Sequence, residues 1–231
     1  MNRMLLFALA TGLILSNGSH LSAAPNTLTP EEKQAGWKLL FDGQTTDSWR
    51  GYASPRFPDQ GWRVKDGWLE KIDRAEGGDI MTKDTFSNFE LQWEWKIVPG
   101  GNNGVKYFIL QERNAPIGHE YQMMDDMGKT DKHSTASFYE VLAPAANKLM
   151  KPAGEINHSR ILVRGDHVEH WLNGRKVLEY ELGSEQVMEG VANSKFKNVD
   201  KFGTKVRGHI LLTDHRDGCW FRDIKIRELS L

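Results

Sequence analysis

The side chains in this sequence best suited to chemistry are acids and histidines on segments that alternate like β-strands. Glu120 and Gln122 fall on one face of the run 120–124, while Tyr121 and Met123 take the other. Asp125 and Asp126 follow at its end. Such acids could supply a general base or ligands for a hard cation, although a solvated acidic loop would read the same way. His209, Leu211, Thr213 and His215 share one face of a second run, with Ile210 and Leu212 on an apolar opposite face. Imidazole titrates near neutrality and can act as base or acid. His215 is preferred because it stands at the end of its run, where loops build sites. Lys106 offers a cation beside Asn102-Asn-Gly104, read as a turn, and should share a face with Phe108. Glu169 and His170 are adjacent, so a regular strand sends them to opposite faces, and the spacing of Val168, His170 and Leu172 favours burial of the histidine. Acids together with histidines would suit a divalent ion, yet no paired-histidine or clustered-cysteine spacing selects one, and the metal is undecided. No glycine-rich loop joins a strand to a helix, which argues against a nucleotide cofactor.

These residues must be positioned by sheets. Phe89–Ile97 alternates almost without fault, and its apolar face (Phe89, Leu91, Trp93, Trp95, Ile97) should meet a core. Further strands are predicted at 105–110, 120–124, 137–142, 160–164, 168–172, 176–180, 209–213 and 220–228. Asn173-Gly174 is a hairpin signal, since both residues tolerate positive φ. Thr29-Pro30-Glu31-Glu32 carries the marks of a helix start, and short helical turns are expected at 184–191 and 194–197. Many short strands and little helix predict an all-β, two-sheet jelly-roll sandwich, one domain over residues 35–231 after a short segment at 25–34.

Residues 1–24 read as a signal peptide: Arg3, an apolar run over 4–15, then Ser22-Ala23-Ala24 as a cleavage site. The run is too short for a bilayer span, which needs roughly 20 residues, so the mature chain is expected to be periplasmic or secreted with no membrane span. The sequence holds one cysteine, Cys219, which leaves cohesion to the core and reads as a buried thiol. A formal net charge of −1 with interspersed signs argues against a nucleic-acid partner. Eight tryptophans suit both a core and the stacking of sugar rings. Oligomeric state is not legible.

The motifs, in order, resemble the 3-keto-disaccharide hydrolase-like domain family over nearly the whole mature chain. They are Gly36-Trp-Lys-Leu-Leu-Phe-Asp-Gly43, Trp62-Arg-Val-Lys-Asp-Gly67, Asn102-Asn-Gly-Val-Lys-Tyr107 and Gly118-His-Glu-Tyr-Gln-Met-Met-Asp-Asp126. They continue through Lys151-Pro-Ala-Gly-Glu155, Val168-Glu-His-Trp-Leu-Asn-Gly174, Gly208-His-Ile-Leu-Leu-Thr-Asp-His215 and Trp220-Phe-Arg-Asp-Ile-Lys-Ile226. The family usually has Trp where Ile156 stands and Gln where Thr213 stands. The resemblance implies a concanavalin-like jelly roll acting on sugars oxidised at C3. A C3 ketone acidifies the C2 hydrogen, so cleavage would use a base near C2, a cation or hydrogen bond at the ketone oxygen, and an acid at the departing C1 oxygen. On this reading Glu120, His170 and His215 are the catalytic candidates. Lys106, Gln122, Asp126, Tyr139, Lys151, Trp171 and Asn173 are the candidates for holding the sugar. A noncatalytic carbohydrate-binding module is the rival on the same fold.

Overall fold

The computed structural model describes residues 24–231; the expected signal peptide lies, but for its last residue, outside them. After a short helix α1 (Pro30–Gln34), the strands are β1 (Lys38–Leu39), β2 (Trp49–Gly51), β3 (Trp62–Lys65), β4 (Trp68–Lys71), β5 (Ile80–Thr82), β6 (Phe89–Ile97) and β7 (Asn102–Ile109). Then come β8 (His119–Met124), β9 (Asn157–Arg164), β10 (His167–Leu172), β11 (Arg175–Glu181), helix α2 (Glu185–Ala192), β12 (His209–Leu212) and β13 (Cys219–Glu228). Helix α1 begins as its sequence requires: Thr29 accepts from the Glu32 backbone, and the Glu32 carboxylate accepts from the Thr29 N–H.

The strands form two antiparallel sheets, an eight-stranded one in the order β11-β10-β9-β6-β13-β4-β3 with β1 also on β13, and a five-stranded one in the order β2-β5-β12-β7-β8. This is the expected jelly-roll sandwich. A register shift between Arg222 and Lys225 lets β13 pair with β4 through its first half and β1 through its second. The predicted face of β6 is buried throughout, and Trp93 packs edge-on against Tyr121 of the facing sheet. Five of the eight tryptophans (37, 49, 62, 93 and 95) are core, and Cys219 is fully buried.

Three local expectations change. Residues 137–142 are turns and bridges laid along the edge of β8, where Tyr139 N–H donates to Glu120 O at 3.0 Å. Asn102-Asn-Gly104 is strand, not turn. Lys106 and Phe108 do not share a face: Phe108 has φ of 61°, and β7 takes in one extra residue opposite β12. That bulge sends both Tyr107 and Phe108 into the core and leaves Lys106 outside.

Candidate active site

Alternation along β7 and β8 builds one wall of a cavity on the outer face of the five-stranded sheet. Tyr107, Tyr121 and Met123 point into the core, so Asn102, Lys106, Glu120 and Gln122 point out of it. The register sets Lys106 opposite Glu120 and Gly104 opposite Gln122. Gly104 makes room for the acid: a Cβ there would lie 2.1 Å from Glu120 Oε1, so the carboxyl rests against bare backbone. The cavity encloses about 420 Å³, a volume in the range of small-molecule sites. Its opposite wall is Pro116, Ile117, Phe196 and Val199, with Tyr139 and Lys195 between and His215 at the rim.

The polar groups here are poised rather than spent. Glu120 Oε1, Gln122 Oε1 and Asn102 Oδ1 are buried without a hydrogen-bond partner. Such orphans are rare in folded proteins and ask for a partner from outside. Burial pushes the Glu120 carboxyl above its ordinary value, against the pull of Lys106 and Lys195. His215 is held below the ordinary imidazole value by partial desolvation and then by Lys106, although much of its surface stays open to solvent at the rim. Both shifts favour neutral forms, a free imidazole and a protonated carboxyl. Lys106 Nζ donates to Pro116 O at 3.2 Å, and Lys195 Nζ reaches Tyr139 Oη at 3.2 Å.

Of the sequence candidates, Lys106, Glu120, Gln122, Tyr139 and His215 therefore meet in one cavity. The others do not line it. His170 is fully buried between the sheets: its Nδ1–H donates to Ala136 O at 3.0 Å, and its Nε2 accepts from Tyr107 Oη at 3.1 Å, which in turn bonds Tyr180 Oη. Burial drops its pKa to about 4, so it is a neutral cross-link between the sheets. Asp126 is buried as an anchor, accepting from Thr135 N and Oγ1 at 2.7 Å each and pairing with Lys148 at 3.2 Å. Lys151 Nζ caps Ile156 O at 2.9 Å. Trp171 lies on the outer face of the eight-stranded sheet under the Arg160 guanidinium. Asn173 is the hairpin residue, with φ of 48°, and its amide ties Leu149 O and the His158 N–H.

Asn102, Lys195 and the apolar wall escaped sequence reading. Asn102 sits in a motif read as a turn. Lys195 and Phe196 follow α2 in a segment without period, positioned by tertiary contacts such as the Phe196–Phe202 stack at 4.3 Å. As for a metal, the described His, Asp and Glu atoms that converge most closely are those of His167, Glu169 and Glu179, away from the cavity. The Lys176 ammonium already bonds both carboxylates there, so this cluster fits a resident lysine better than an added ion.

A family model described as the 3-keto-alpha-glucoside-1,2-lyase-like domain matches residues 36–227. A 3-keto-disaccharide hydrolase of Bacteroides thetaiotaomicron is 33% identical over 233 aligned positions, covering 84% of this chain and 79% of the relative. Two Parabacteroides distasonis crystal structures, provisionally named glycosyl hydrolases, are similar throughout. One has a TM-score of 0.80 at 31% identity, covering 90% of this chain and 100% of that one. The other has a TM-score of 0.66 at 27% identity, covering 84% and 99%.

Proposed function

The chain belongs to the 3-keto-alpha-glucoside-1,2-lyase-like domain family, and from that premise we propose that it is an exported enzyme that cleaves 3-keto-glycosides by elimination across C1 and C2. The observation that carries this is the meeting of Glu120, His215 and Lys106 in one cavity, with buried acceptors left unpaired.

The roles follow from which neutral forms the site favours. His215, held unprotonated, takes the C2 proton. The electron pair moves toward the C3 oxygen as an enolate, whose charge the Lys106 ammonium offsets. As the C3 carbonyl re-forms, C1 and C2 become double-bonded and the C1–O bond breaks. Glu120, favoured in its protonated form, gives its proton to the departing oxygen. Water can then add at C1, with a proton at C2, to complete net hydrolysis. Gln122, Asn102, Tyr139 and Lys195 hold sugar hydroxyls.

Two rival readings fit the cavity less well. A binding module needs no base, and nothing in binding requires an acid buried beside a lysine. An ordinary glycosidase needs two carboxylates astride the bond, and Glu120 is the one carboxylate among the described cavity-lining residues.

Incubation with 3-keto and unoxidised forms of one disaccharide in D2O tests the proposal. Cleavage of the oxidised form alone, with deuterium at C2 of the hydrated product, is the expected result. Cleavage of both forms, or a C2 that keeps its hydrogen, would overturn it. Export rests on the leader-like run at 4–15 and the small residues before Pro25. N-terminal sequencing of protein recovered outside the cytoplasm should begin near Ala24 or Pro25.

A further inference from the structure

His215 makes no side-chain hydrogen bond among the described residues, yet the backbone around it is clamped. On one side, Thr213 N–H donates to Gly104 O at 3.1 Å, and Asn103 Nδ2 donates to Thr213 O at 3.1 Å. On the other, Asp214 Oδ2 accepts from the N–H groups of Gly77 and Gly78 at 2.8 Å each, and Oδ1 accepts from Arg216 N–H at 2.9 Å. Its own N–H donates to Asp79 Oδ1 at 2.7 Å. The fourth partner of this carboxylate is Lys71, at the end of β4 in the other sheet, with Nζ 3.0 Å from Oδ1. The Lys71 side chain is fully buried, and that of Asp214 is 6% exposed. Lys71 Nζ also donates to Ile72 O and Ala75 O at 2.9 and 2.6 Å, which fixes the loop whose glycines cap Asp214.

A lysine and an aspartate taken out of water together are costly, and hydrophobic residues often serve stability as well. The placement of this pair, with Asp214 next in sequence to a rim histidine that makes no side-chain hydrogen bond of its own among the described residues, gives it a use. We infer that the buried Lys71–Asp214 pair is a positioning device, joining the two sheets and fixing His215 at the cavity rim. The inference rests on the functional reading above only in calling His215 a base; the positioning itself is a property of the unliganded protein.

The test uses Lys71→Met, with the doubly neutral K71M/D214N as a second variant in which no buried charge is left alone. His215 is followed by NMR of its imidazole in the free protein, and turnover of a 3-keto-glucoside is measured across pH. The groups bearing charge on His215 are Lys106, Asp79, Asp214 and Asp217, with Glu120 in the same cavity and Arg216 next in sequence. In K71M, Asp214 loses its counter-charge, so the His215 midpoint and the acid limb of kcat/KM should both move to higher pH. Turnover should fall about 10-fold with KM nearly unchanged, the mark of a misplaced group rather than weaker binding. In the double variant the midpoint should return toward that of the wild type, while kcat stays low because the clamp is gone.

Wild-type His215 signals and wild-type kcat in a folded K71M overturn the inference. So does a wild-type kcat in the double variant, should K71M fail to fold. Altered His215 signals in a protein that cleaves no 3-keto sugar would leave the clamp standing and reject the functional reading instead.

Discussion

The outer faces of the two sheets are both rich in charge and aromatic rings, yet only one carries the candidate site. On the eight-stranded sheet every prominent acid is matched. Glu169 meets Trp171, His167, Lys176 and Arg160; Glu90 meets Arg160 and Arg227; Arg63 forks onto Glu70; Arg222 holds Glu94. The rings of Trp68, Trp171 and Trp220 are likewise covered by Lys96, Arg160 or Arg222. On the five-stranded sheet, fewer polar groups sit deeper, and three of their buried oxygens have no partner. Polar strand faces are therefore a poor pointer to function. Burial without a partner beside an open cavity is the better one, since there a ligand can reach the atom, whereas the unpartnered atoms of Trp93, His119 and Ser137 are shut inside the fold.

The sharpest way to break this comparison is Glu120→Gln, which keeps the shape but not the proton. It should lower kcat/KM by about 1,000-fold, within the span of general acid catalysis. It should also abolish the descending limb of the pH profile while leaving the rising limb, set by His215 below the ordinary imidazole value. A Glu120→Gln enzyme with the full bell-shaped profile would remove the acid role. Next, Lys106→Met should cost about 100-fold in kcat, on the scale of losing one donor to a developing oxyanion, and a rise in KM alone would instead make the lysine a binding group. Gly104→Ala should cost about 10-fold, because the new methyl must push the Glu120 carboxyl aside; equal kinetics would show that the acid has room to move.

The remaining two variants sharpen the contrast from the paired side. His170→Asn should leave kcat and its pH profile intact while destabilising the fold by about 1–3 kcal/mol, the price of orphaning buried hydrogen-bond partners. Denaturant melts and turnover on one preparation decide this. Glu169→Gln should change neither turnover nor melting beyond about 1 kcal/mol, as expected for an ion-pair cluster at the surface, only half-buried at Glu169; lost activity there would mean that the second face takes part after all.

The sandwich was legible because its signal is local. Alternation over Phe89–Ile97 and the Asn173-Gly174 turn need nothing from elsewhere in the chain. Part of the candidate site was legible for the same reason: the outward placement of Glu120 and Gln122 follows from strand phase. His170 lies within a family motif, and the structure places it in the core, away from the cavity. Alternation had placed it inward, and the structure agrees with alternation. Asp126 and Asn173 also belong to recognisable motifs, but their polar atoms are used up inside the fold. Lys195 and Phe196 had no phase to reveal them, since the segment after α2 is held by side-chain contacts, of which the bond from Lys195 to Tyr139 is distant in sequence. Asp214 stood in plain sight beside His215, and its partner Lys71 could be found only once β4 was brought across.

The left-handed residue Phe108 divides β7 into two jobs. Before it, the outward positions carry Asn102, Gly104 and Lys106; after it, the outward position is Ile109, packed with Met81 and Leu211. One strand thus changes from wet to greasy along a single side without changing direction. Removing that one residue would put the remainder of the strand out of step and expose an isoleucine's neighbours to the wrong environment. The frontier between candidate chamber and supporting bed is in this sense written as a counting irregularity, much as a leap day keeps a calendar aligned with the season it must serve.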